Sequence, residues 1–283
     1  MTDHIKTELQ TLYADASKHS TYQSIPEFVS AELGYSETID EQWRGDKSRL
    51  SYLLAARQPG DGEHWGDFGA NTGFFTLSLA KLYPRARFTA IEANPNHALF
   101  IQRIAEYFNL TNVSVINRAI GLRQLLEIPC FDFLLHLNVL HHAGHDFDRD
   151  LLEQREDFTA YATQYLDLLR SRARGLVFQL GSNWGGDKTQ PIIGVSEDTA
   201  KLRLFGSWLK RAGWFVTSVA YPSRNGDGSL SYRNLAPQGN PPNVQVDELP
   251  EDVLDEAISK FELERFRGEF NRRPLFFCSH PKR

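Results

Sequence analysis

The feature that most constrains the fold is the short segment Asp67–Gly73, which reads Asp-Phe-Gly-Ala-Asn-Thr-Gly. Apolar residues before and within it indicate the end of a strand, and the run Phe74–Ala80 after it predicts a buried helix. Two glycines at this junction predict a sharp turn and leave room for a ligand to approach the main chain. A helix start exposes unpaired N–H groups. The segment therefore predicts a ligand-binding strand–turn–helix.

A second acidic residue strengthens this prediction. The run Phe88–Ile91 predicts the next strand, and Glu92 follows it directly. A carboxylate at such a strand end can accept hydrogen bonds from both hydroxyls of a ribose. A glycine turn and an acidic strand end on successive strands together indicate a cofactor that contains a nucleoside.

The spacing of the glycines discriminates between cofactors. Nicotinamide dinucleotide sites use Gly-x-Gly-x-x-Gly, whereas this segment has Asp-x-Gly-x-x-x-Gly with Asn71 in its centre. Asp67 would place a negative charge beside a pyrophosphate, which is unfavourable. S-adenosylmethionine (SAM) carries an ammonium and a sulfonium and no phosphate. The sequence therefore favours SAM, with S-adenosylhomocysteine (SAH) as the product.

These motifs resemble those of the class I SAM-dependent methyltransferases. The segment from Asp67 to Phe75 is similar to the first motif of that family, and Glu92 to its acidic second motif. The segment Asn117–Gly121 follows the strand-like run Val113–Ile116, at the point where the family contacts adenine. The exact motif sequences are most similar to those of the FkbM-type O-methyltransferases. They are Gly-Ala-Asn-Thr-Gly, Glu-Ala-Asn-Pro and Asn-Arg-Ala-Ile-Gly. The resemblance covers about residues 60–140, and the remainder only in outline.

The resemblance implies a role for each residue that matches the motifs. Asp67 would influence the amino group of the cofactor, and Glu92 would hold its ribose. Asn71 would donate a hydrogen bond to the cofactor carboxylate. The other expected cofactor residues are Gly69, Ala70 and Gly73 for close backbone approach, Ala93, Arg118 and Ala119 near the adenine, and Asn138 near the methionine part.

The alternation of strands and helices from residue 64 onward predicts an α/β fold. We predict strands at 64–68, 87–92, 113–117, 131–137, 176–180 and 214–219, and helices at 73–83, 96–108, 149–171, 197–211 and 250–268. This pattern is typical of a doubly wound, seven-stranded, mostly parallel sheet of Rossmann-like type. The resemblance implies that the last strand, near 274–278, is antiparallel and lies between strands five and six.

Three regions of the chain differ in character. Residues 1–58 predict an N-terminal helical cap, and residues 59–283 the SAM-binding methyltransferase domain. Within that domain, residues 222–249 are rich in proline and glycine and predict an insertion or lid-like loop.

Composition excludes several classes of protein. A hydrophobic content of 41% supports a sizeable core, and a net charge of −5 argues against a broad nucleic-acid surface. The sequence shows no signal-peptide pattern and no apolar run of the ~18–20 residues that a membrane span needs, so we expect a cytoplasmic protein without membrane contact. Cys130 and Cys278 lack metal-type spacing, and we expect both thiols to be buried.

A histidine-rich loop follows the fourth predicted strand. Ligands of open α/β sheets lie beyond the carboxyl ends of the strands, and histidine titrates near neutral pH. His141 or His142 is therefore a candidate general base for methyl transfer to a hydroxyl. The alternative is that one ring caps a backbone group while the other is solvated. His145 is expected at the surface. We expect no metal, because adjacent histidines rarely face one ion and paired carboxylates are missing.

Two further loops follow strands at the same predicted edge. Asn183 and Trp184 follow strand five and are candidates for substrate contacts, and the alternative is that their loop is only a connection. Arg224 after strand six is a candidate for binding an acidic group of the acceptor. Taken together, the residues favour a SAM-dependent methyltransferase for a small-molecule acceptor, at a hydroxyl oxygen of a natural product or sugar.

Three alternatives stay open from the sequence. A small-molecule N-methyltransferase would need no strong base, because an uncharged amine is already nucleophilic. An RNA-modifying methyltransferase would use basic residues, although the acidity of the chain counts against it. A non-catalytic partner protein would bind SAM without turnover. The basic residues available for RNA are Arg224, Arg233, Arg272 and Arg273.

Overall fold

A computed structural model describes residues 2–14, 24–34, 45–192, 197–236, 245–266 and 270–280. The chain forms two compact units, Met1–Ala119 and Ile120–Arg283. The predicted boundary between a cap and a catalytic domain near residue 58 stays a prediction. Of the predicted insertion, residues 237–244 lie outside the described part of the chain.

The first unit is a parallel α/β arrangement preceded by helices. Its strands are β1 (His64–Phe68), β2 (Arg87–Ile91) and β3 (Val113–Ile116), and its helices are α1 (Thr2–Tyr13), α2 (Glu27–Leu33), α3 (Asp46–Ala56), α4 (Phe74–Leu82) and α5 (Pro95–Tyr107). The strands are parallel in the order β3-β2-β1, and Asp67 lies opposite Ala90. β1 and β2 are each buried at four of five positions, as expected for parallel strands covered on both faces. The predicted N-terminal helices are present. Each has a buried apolar residue, which is Leu9 in α1, Val29 in α2 and Leu53 in α3.

The second unit has a mixed sheet. Its strands are β4 (Phe131–Leu137), β5 (Ala173–Gln179), β6 (Phe215–Arg224), β7 (Leu230–Asn234) and β8 (Leu275–Ser279), and its helices are α6 (Phe158–Arg170), α7 (Asp198–Arg211) and α8 (Glu251–Ser259). β4 and β5 are parallel, and β8 lies antiparallel between β5 and β6. The predicted Rossmann-like α/β class is therefore confirmed, as is the antiparallel placement of the last strand.

Two predicted helices are shorter than the apolar pattern indicates. The helix predicted from residue 149 begins only at Phe158, because Gln154 is extended (φ −118°, ψ 133°) and a 3-10 turn, Arg155–Asp157, precedes the helix. Asp148 has a left-handed φ of 52°, and its carboxylate accepts hydrogen bonds from Leu122 N and the Tyr161 hydroxyl. The same carboxylate explains Gly121, where a Cβ would lie 2.0 Å from Asp148 Oδ1. The helix predicted to residue 268 ends at Ser259, and Glu262 then has a φ of 50°.

The described part of the predicted insertion is a β-hairpin. β6 continues to Arg224, and β7 returns antiparallel to it. The turn Asn225–Ser229 closes with a hydrogen bond from Asn225 N to Ser229 O of 2.9 Å, and Gly228 has a φ of 82°. β7 is an eighth strand beyond the seven predicted. It was missed because glycine and proline in residues 222–249 were interpreted as loop signals, whereas here the glycines form the turn.

The two cysteines have different environments. Cys278 on β8 is buried, and burial raises the pKa of its thiol well above the ordinary value. Cys130 is exposed, so the expectation that both thiols are buried is wrong for this residue. It directly precedes β4, between the buried residues Ile128 and Phe131. Among the described residues, no helix has the length and apolar character needed to span a membrane.

Candidate functional site

The turn after β1 is built from left-handed backbone. Gly69, Asn71 and Gly73 have φ values of 69°, 53° and 81°. The N–H groups of Gly69 and Ala70 both donate to Ile91 O, which joins the turn to the end of β2. A Cβ on Gly73 would lie 2.8 Å from Ile101 Cγ1 of α5. Gly73 is thus required by backbone conformation and helix packing, rather than only by the ligand approach that the sequence predicted.

Asp67, at the end of β1, is anchored to the first turn of α4. Its Oδ2 accepts hydrogen bonds from Thr76 N at 3.2 Å and from Thr76 Oγ1 at 2.8 Å. Burial raises the pKa of the Asp67 carboxyl to about 6, although these hydrogen bonds and the charge of Arg49 act in the opposite direction. The carboxyl that was expected to influence the cofactor ammonium is therefore also a structural group that fixes the start of α4.

A buried ion pair close to this carboxyl was missed from the sequence. Asp46 and Arg49 of α3 are 2% and 1% exposed and form an ion pair. The Arg49 guanidinium lies 5.4 Å from the ring centroid of Phe75, next to the residue that binds Asp67. In a sequence, an Asp and an Arg one helical turn apart are typical of a solvent-exposed helix face. No local pattern therefore predicts that this pair is buried.

Glu92 joins the turn after β1 to the segment that begins α5. Its Oε2 accepts a hydrogen bond from Asn71 N at 2.7 Å, and its Oε1 accepts one from Asn94 N at 2.8 Å. Burial raises the pKa of the Glu92 carboxyl to about 7, and the nearby negative charge of Asp67 adds to this effect, while the backbone N–H groups oppose it. The carboxyl thus connects the turn after β1 to the start of α5.

The asparagines around Glu92 serve the backbone. Asn71 Oδ1 accepts a hydrogen bond from Thr72 N at 2.7 Å, so this oxygen is used within its own turn, and donation from Nδ2 to a cofactor carboxylate stays a prediction. Asn94 is the N-cap of α5 and accepts hydrogen bonds from Asn96 N and His97 N. Both asparagines therefore pre-form the loop that carries Glu92.

The expected adenine segment lies at the end of β3. Asn117 Nδ2 donates to Glu92 O at 2.8 Å and to Ala93 O at 3.3 Å, which joins the ends of β3 and β2. Ala93, Arg118 and Ala119 are exposed, whereas Ala70 is buried. The first unit thus brings nine of the predicted cofactor residues onto its three strand ends. They are Asp67, Gly69, Ala70, Asn71, Gly73, Glu92, Ala93, Arg118 and Ala119.

In the second unit, Asn138 at the end of β4 belongs to a closed ring of hydrogen bonds. Arg273 Nη1 donates to Asn138 Oδ1, Asn138 Nδ2 donates to Gln179 Oε1, and Gln179 Nε2 donates to Arg273 O. Asn138 also has a left-handed φ of 61°. Its side chain is thus used to join the ends of β4 and β5 to the start of β8. Gln179 and Arg273 were not predicted for this site, because they come together only through the antiparallel insertion of β8.

The histidine-rich loop follows Asn138 as a short 3-10 turn, Leu140–His142. His141 is buried, and its ring centroid lies 4.2 Å from that of His142. His142 is partly buried, and its Nδ1 lies 3.0 Å from Asp146 Oδ2. His145 packs edge-on against Trp184 at 4.6 Å between centroids and is only partly exposed, in contrast to the surface position expected for it.

The candidate substrate residues differ in exposure and contacts. Trp184 is buried, and its Nε1 donates to Ala143 O at 2.6 Å, so this indole stabilises the histidine-rich loop instead of facing solvent. Asn183 is partly exposed and forms an isolated bridge with Pro191. Arg224 is exposed, and its guanidinium lies 5.1 Å from the ring centroid of Phe266. The described residues contain no cluster of side chains suited to a metal ion.

Comparisons with known proteins give similarity at the level of structure. No protein-family model matches the chain. No curated protein matches it either. The chain is similar to the N-terminal domain of EvdMO1 with SAH bound, at 14% identity, over 100% of this chain and 98% of that one, with a TM-score of 0.45. It is also similar to the O-methyltransferase of a trans-AT PKS multienzyme of Brevibacillus brevis in complex with SAH, at 12% identity, over 83% and 71% of the two chains, with a TM-score of 0.45.

A longer protein is also similar over part of its length. The match to the bifunctional kinase-methyltransferase WbdD has 17% identity and a TM-score of 0.37, and covers 53% of this chain. This chain spans 31% of the length of that protein. Identities of 12–17% and TM-scores of 0.37–0.45 assign no acceptor and no residue role to this chain.

Proposed function

We propose that the protein is a SAM-dependent methyltransferase that acts on a small-molecule acceptor. One observation carries this proposal: Asp67 and Glu92 are two buried carboxyls at the ends of adjacent parallel strands, and burial, with a smaller contribution from the negative charge of Asp67, raises the pKa of Glu92. Such a pair repels a pyrophosphate and favours a ligand that carries positive charge and hydroxyl donors. SAM has both features, and the proteins of the EvdMO1 and Brevibacillus brevis structures bind its product.

The residues of the first unit fit this cofactor. Glu92 would accept hydrogen bonds from the ribose hydroxyls, and Asp67 would lie toward the ammonium. The main chain at Gly69 and Ala70 would lie close to the cofactor, because the hydrogen bonds from their N–H groups to Ile91 O already fix the conformation of the turn. When bound, SAM supplies a methyl group on a sulfonium, which is a good leaving group. The protein then contributes orientation and removal of water.

Calorimetry with SAH and with NAD tests the cofactor assignment. We expect saturable binding of SAH, no binding of NAD, and at least a tenfold weaker affinity for SAH in the Glu92→Ala variant. The matched control is Glu106→Gln, a surface glutamate of the same unit that pairs with Arg103, which should leave the affinity unchanged. Binding of NAD in preference to SAH, or equal affinity in the Glu92→Ala variant, would contradict the proposal.

The finer proposal is methylation at a hydroxyl oxygen, as in the FkbM-type O-methyltransferases that the motif wording resembles. The proximity of His142 to a carboxylate at the exit of β4 supports it, since a hydroxyl acceptor needs a base and an amine does not. The expected result is SAH release with a panel of alcohols and sugars, and none with the matching amines. Loss of this release in the His142→Ala variant, with SAH affinity retained, would identify His142 as the base.

A further inference from the structure

We propose that the Arg273 guanidinium binds an anionic oxygen group of the methyl acceptor, a carboxylate or a phosphate, beyond the carboxyl ends of β4 and β5. This inference rests on the proposed function and narrows its substrate class to anionic small molecules. The sequence offered Arg224 for an acidic group of the acceptor and considered Arg273 only for RNA.

Arg273 lies at the edge of the sheet where ligands of open α/β folds bind. Gln179 is the last residue of β5, and Asn138 directly follows β4. Because β8 begins at Leu275 and is antiparallel to β5, the residues just before it reach the same edge. Ligands lie beyond the carboxyl ends of the parallel strands. Asn138 and Arg273 are both partly exposed, so a small molecule can approach the guanidinium.

The backbone that carries Arg273 is held by its neighbours. The fully buried Gln179 donates from Nε2 to Arg273 O at 3.1 Å. One residue earlier, the Arg272 side chain is paired with Asp198, and before it Asn271 is fully buried. The point from which the Arg273 side chain extends is therefore fixed before a ligand binds, as a binding site requires.

The guanidinium is oriented by two further contacts. Its Nη1 donates to Asn138 Oδ1 at 2.8 Å, and its Cζ lies over the Phe270 ring at 4.9 Å from the centroid. Asn138 is held in turn, since its Nδ2 donates to Gln179 Oε1 at 2.9 Å. A long side chain that is already oriented loses less conformational freedom when it binds a ligand.

The neighbouring arginines Arg272 and Arg273 have hydrogen-bond acceptors of different charge. Arg272 donates from Nε to Asp198 Oδ1 at 3.2 Å and from Nη2 to Oδ2 at 2.7 Å, which is a two-point contact with a carboxylate. Asn138 Oδ1 is a neutral amide oxygen, and it orients the Arg273 guanidinium without neutralising it. The planar N–H groups of a guanidinium match two oxygens of a carboxylate or phosphate. One fixed guanidinium suits a single anionic group, whereas nucleic acid needs several phosphate contacts.

NMR of the side-chain N–H groups tests this site with two small anions. The Arg273 Nε–H signal is identified by its loss in Arg273→Lys, and the Asn138 Nδ2 signals by their loss in Asn138→Asp. The wild-type protein is titrated separately with acetate and with inorganic phosphate, at neutral pH and at an ionic strength kept constant with chloride. We expect both sets of signals to shift saturably with at least one anion, and the tighter anion identifies the group.

Two variants measure the contribution of the guanidinium. In Arg273→Lys, which keeps the charge and loses the planar donors, we expect the affinity read at the Asn138 signals to be about tenfold weaker. Arg174→Gln is the matched control, because Arg174 is an exposed arginine near the other end of β5 that pairs with Asp132. Its anion affinity should equal that of wild type.

The titration is then repeated with saturating SAH. Retained anion binding supports the assignment to the acceptor, whereas displacement by SAH would make Arg273 part of the cofactor site and overturn the inference. A wild-type titration without saturation, or equal affinity in Arg273→Lys, would also overturn it. The wild-type titration is decisive by itself, so a variant that fails to fold does not remove the test. Absence of SAH binding in calorimetry, with a saturable shift at Arg273, contradicts the proposed function alone.

Discussion

At the scale of single residues, Glu92 joins two backbone segments and is also the predicted ribose ligand. Its two carboxyl oxygens accept N–H groups from the turn after β1 and from the start of α5. The same group is the expected ribose ligand. Because it is buried and close to Asp67, its charged form is disfavoured in the folded protein.

This disfavoured charge predicts a pH dependence of stability. The pKa of Glu92 rises from 4.5 to about 7 on folding, so between these values the unfolded chain loses the proton first. The free energy of unfolding of wild type should therefore fall relative to Glu92→Gln as pH rises from about 4.5 to about 7, by at most about 3 kcal/mol. Urea unfolding of both proteins across this range measures the difference. A difference that is flat with pH would show that folding leaves the pKa of Glu92 unchanged.

Gly73 gives a second prediction at this scale, because two separate penalties act on any larger residue there. Its φ of 81° is unfavourable for alanine, and a Cβ would overlap Ile101. Gly73→Ala should reduce the free energy of unfolding by about 2–5 kcal/mol. Gly228→Ala has nearly the same φ with nothing within 4 Å, so it should cost only about 1–2 kcal/mol. Equal losses in urea unfolding would mean that the contact with Ile101 relaxes at little cost.

At the scale of elements, the insertion of β8 between β5 and β6 organises the second unit. β8 pairs antiparallel with both neighbours, and its side chains Leu275, Phe276 and Phe277 are buried. It also delivers Arg273 to Asn138 at the end of β4. One strand thus completes both the core of this unit and the polar ring at its edge.

Thiol labelling reports on the opening of this strand. In the folded protein we expect a thiol reagent to modify Cys130, which is exposed, and to spare Cys278, whose burial on β8 both blocks access and disfavours the thiolate. A Cys130→Ser variant should therefore label only when denaturant separates β8 from its neighbours. Rapid labelling of that variant in native buffer would contradict the central placement of β8.

At the scale of the whole molecule, the distribution of charge separates small-molecule from RNA acceptors. The net charge is −5, and the arginines that sequence reasoning considered for RNA are engaged within the protein. Arg224 lies over the ring of Phe266, and Arg233 lies over the ring of Phe261. Arg272 forms an ion pair with Asp198, and Arg273 donates a hydrogen bond to Asn138. An RNA ligand would have to compete with these intramolecular contacts.

We therefore predict weak binding to nucleic acid. Fluorescence anisotropy with labelled tRNA should show no saturable binding at physiological salt, and the Arg224→Ala/Arg233→Ala double variant should behave as wild type. A specific RNA-modifying enzyme would give saturable binding whose affinity falls steeply with salt and is reduced in the double variant. That outcome would favour the RNA alternative over a small-molecule acceptor.

Local pattern was enough to predict much of this protein. The strand–turn–helix at Asp67–Gly73, the acidic end of β2 and the α/β class follow from period, glycine position and the chemistry of a carboxylate, all of which act over a few neighbouring residues. The start of α6 and the end of α8 could not be predicted from local pattern, because Gln154 and Glu262 leave the helical conformation within the segments that the apolar pattern predicts as helices.

The tertiary structure alone decided which polar side chains are used internally. The side chains of Trp184 and Asn138, both predicted near ligands, join loops through Ala143, Gln179 and Arg273, and their ligand contacts stay predictions. The burial of Arg49 and the contact of Asp146 with His142 were equally invisible in sequence. The physical reason is that a polar residue type states what a side chain can bind, whereas the partner is selected by which distant backbone segment the fold brings within 3 Å of it.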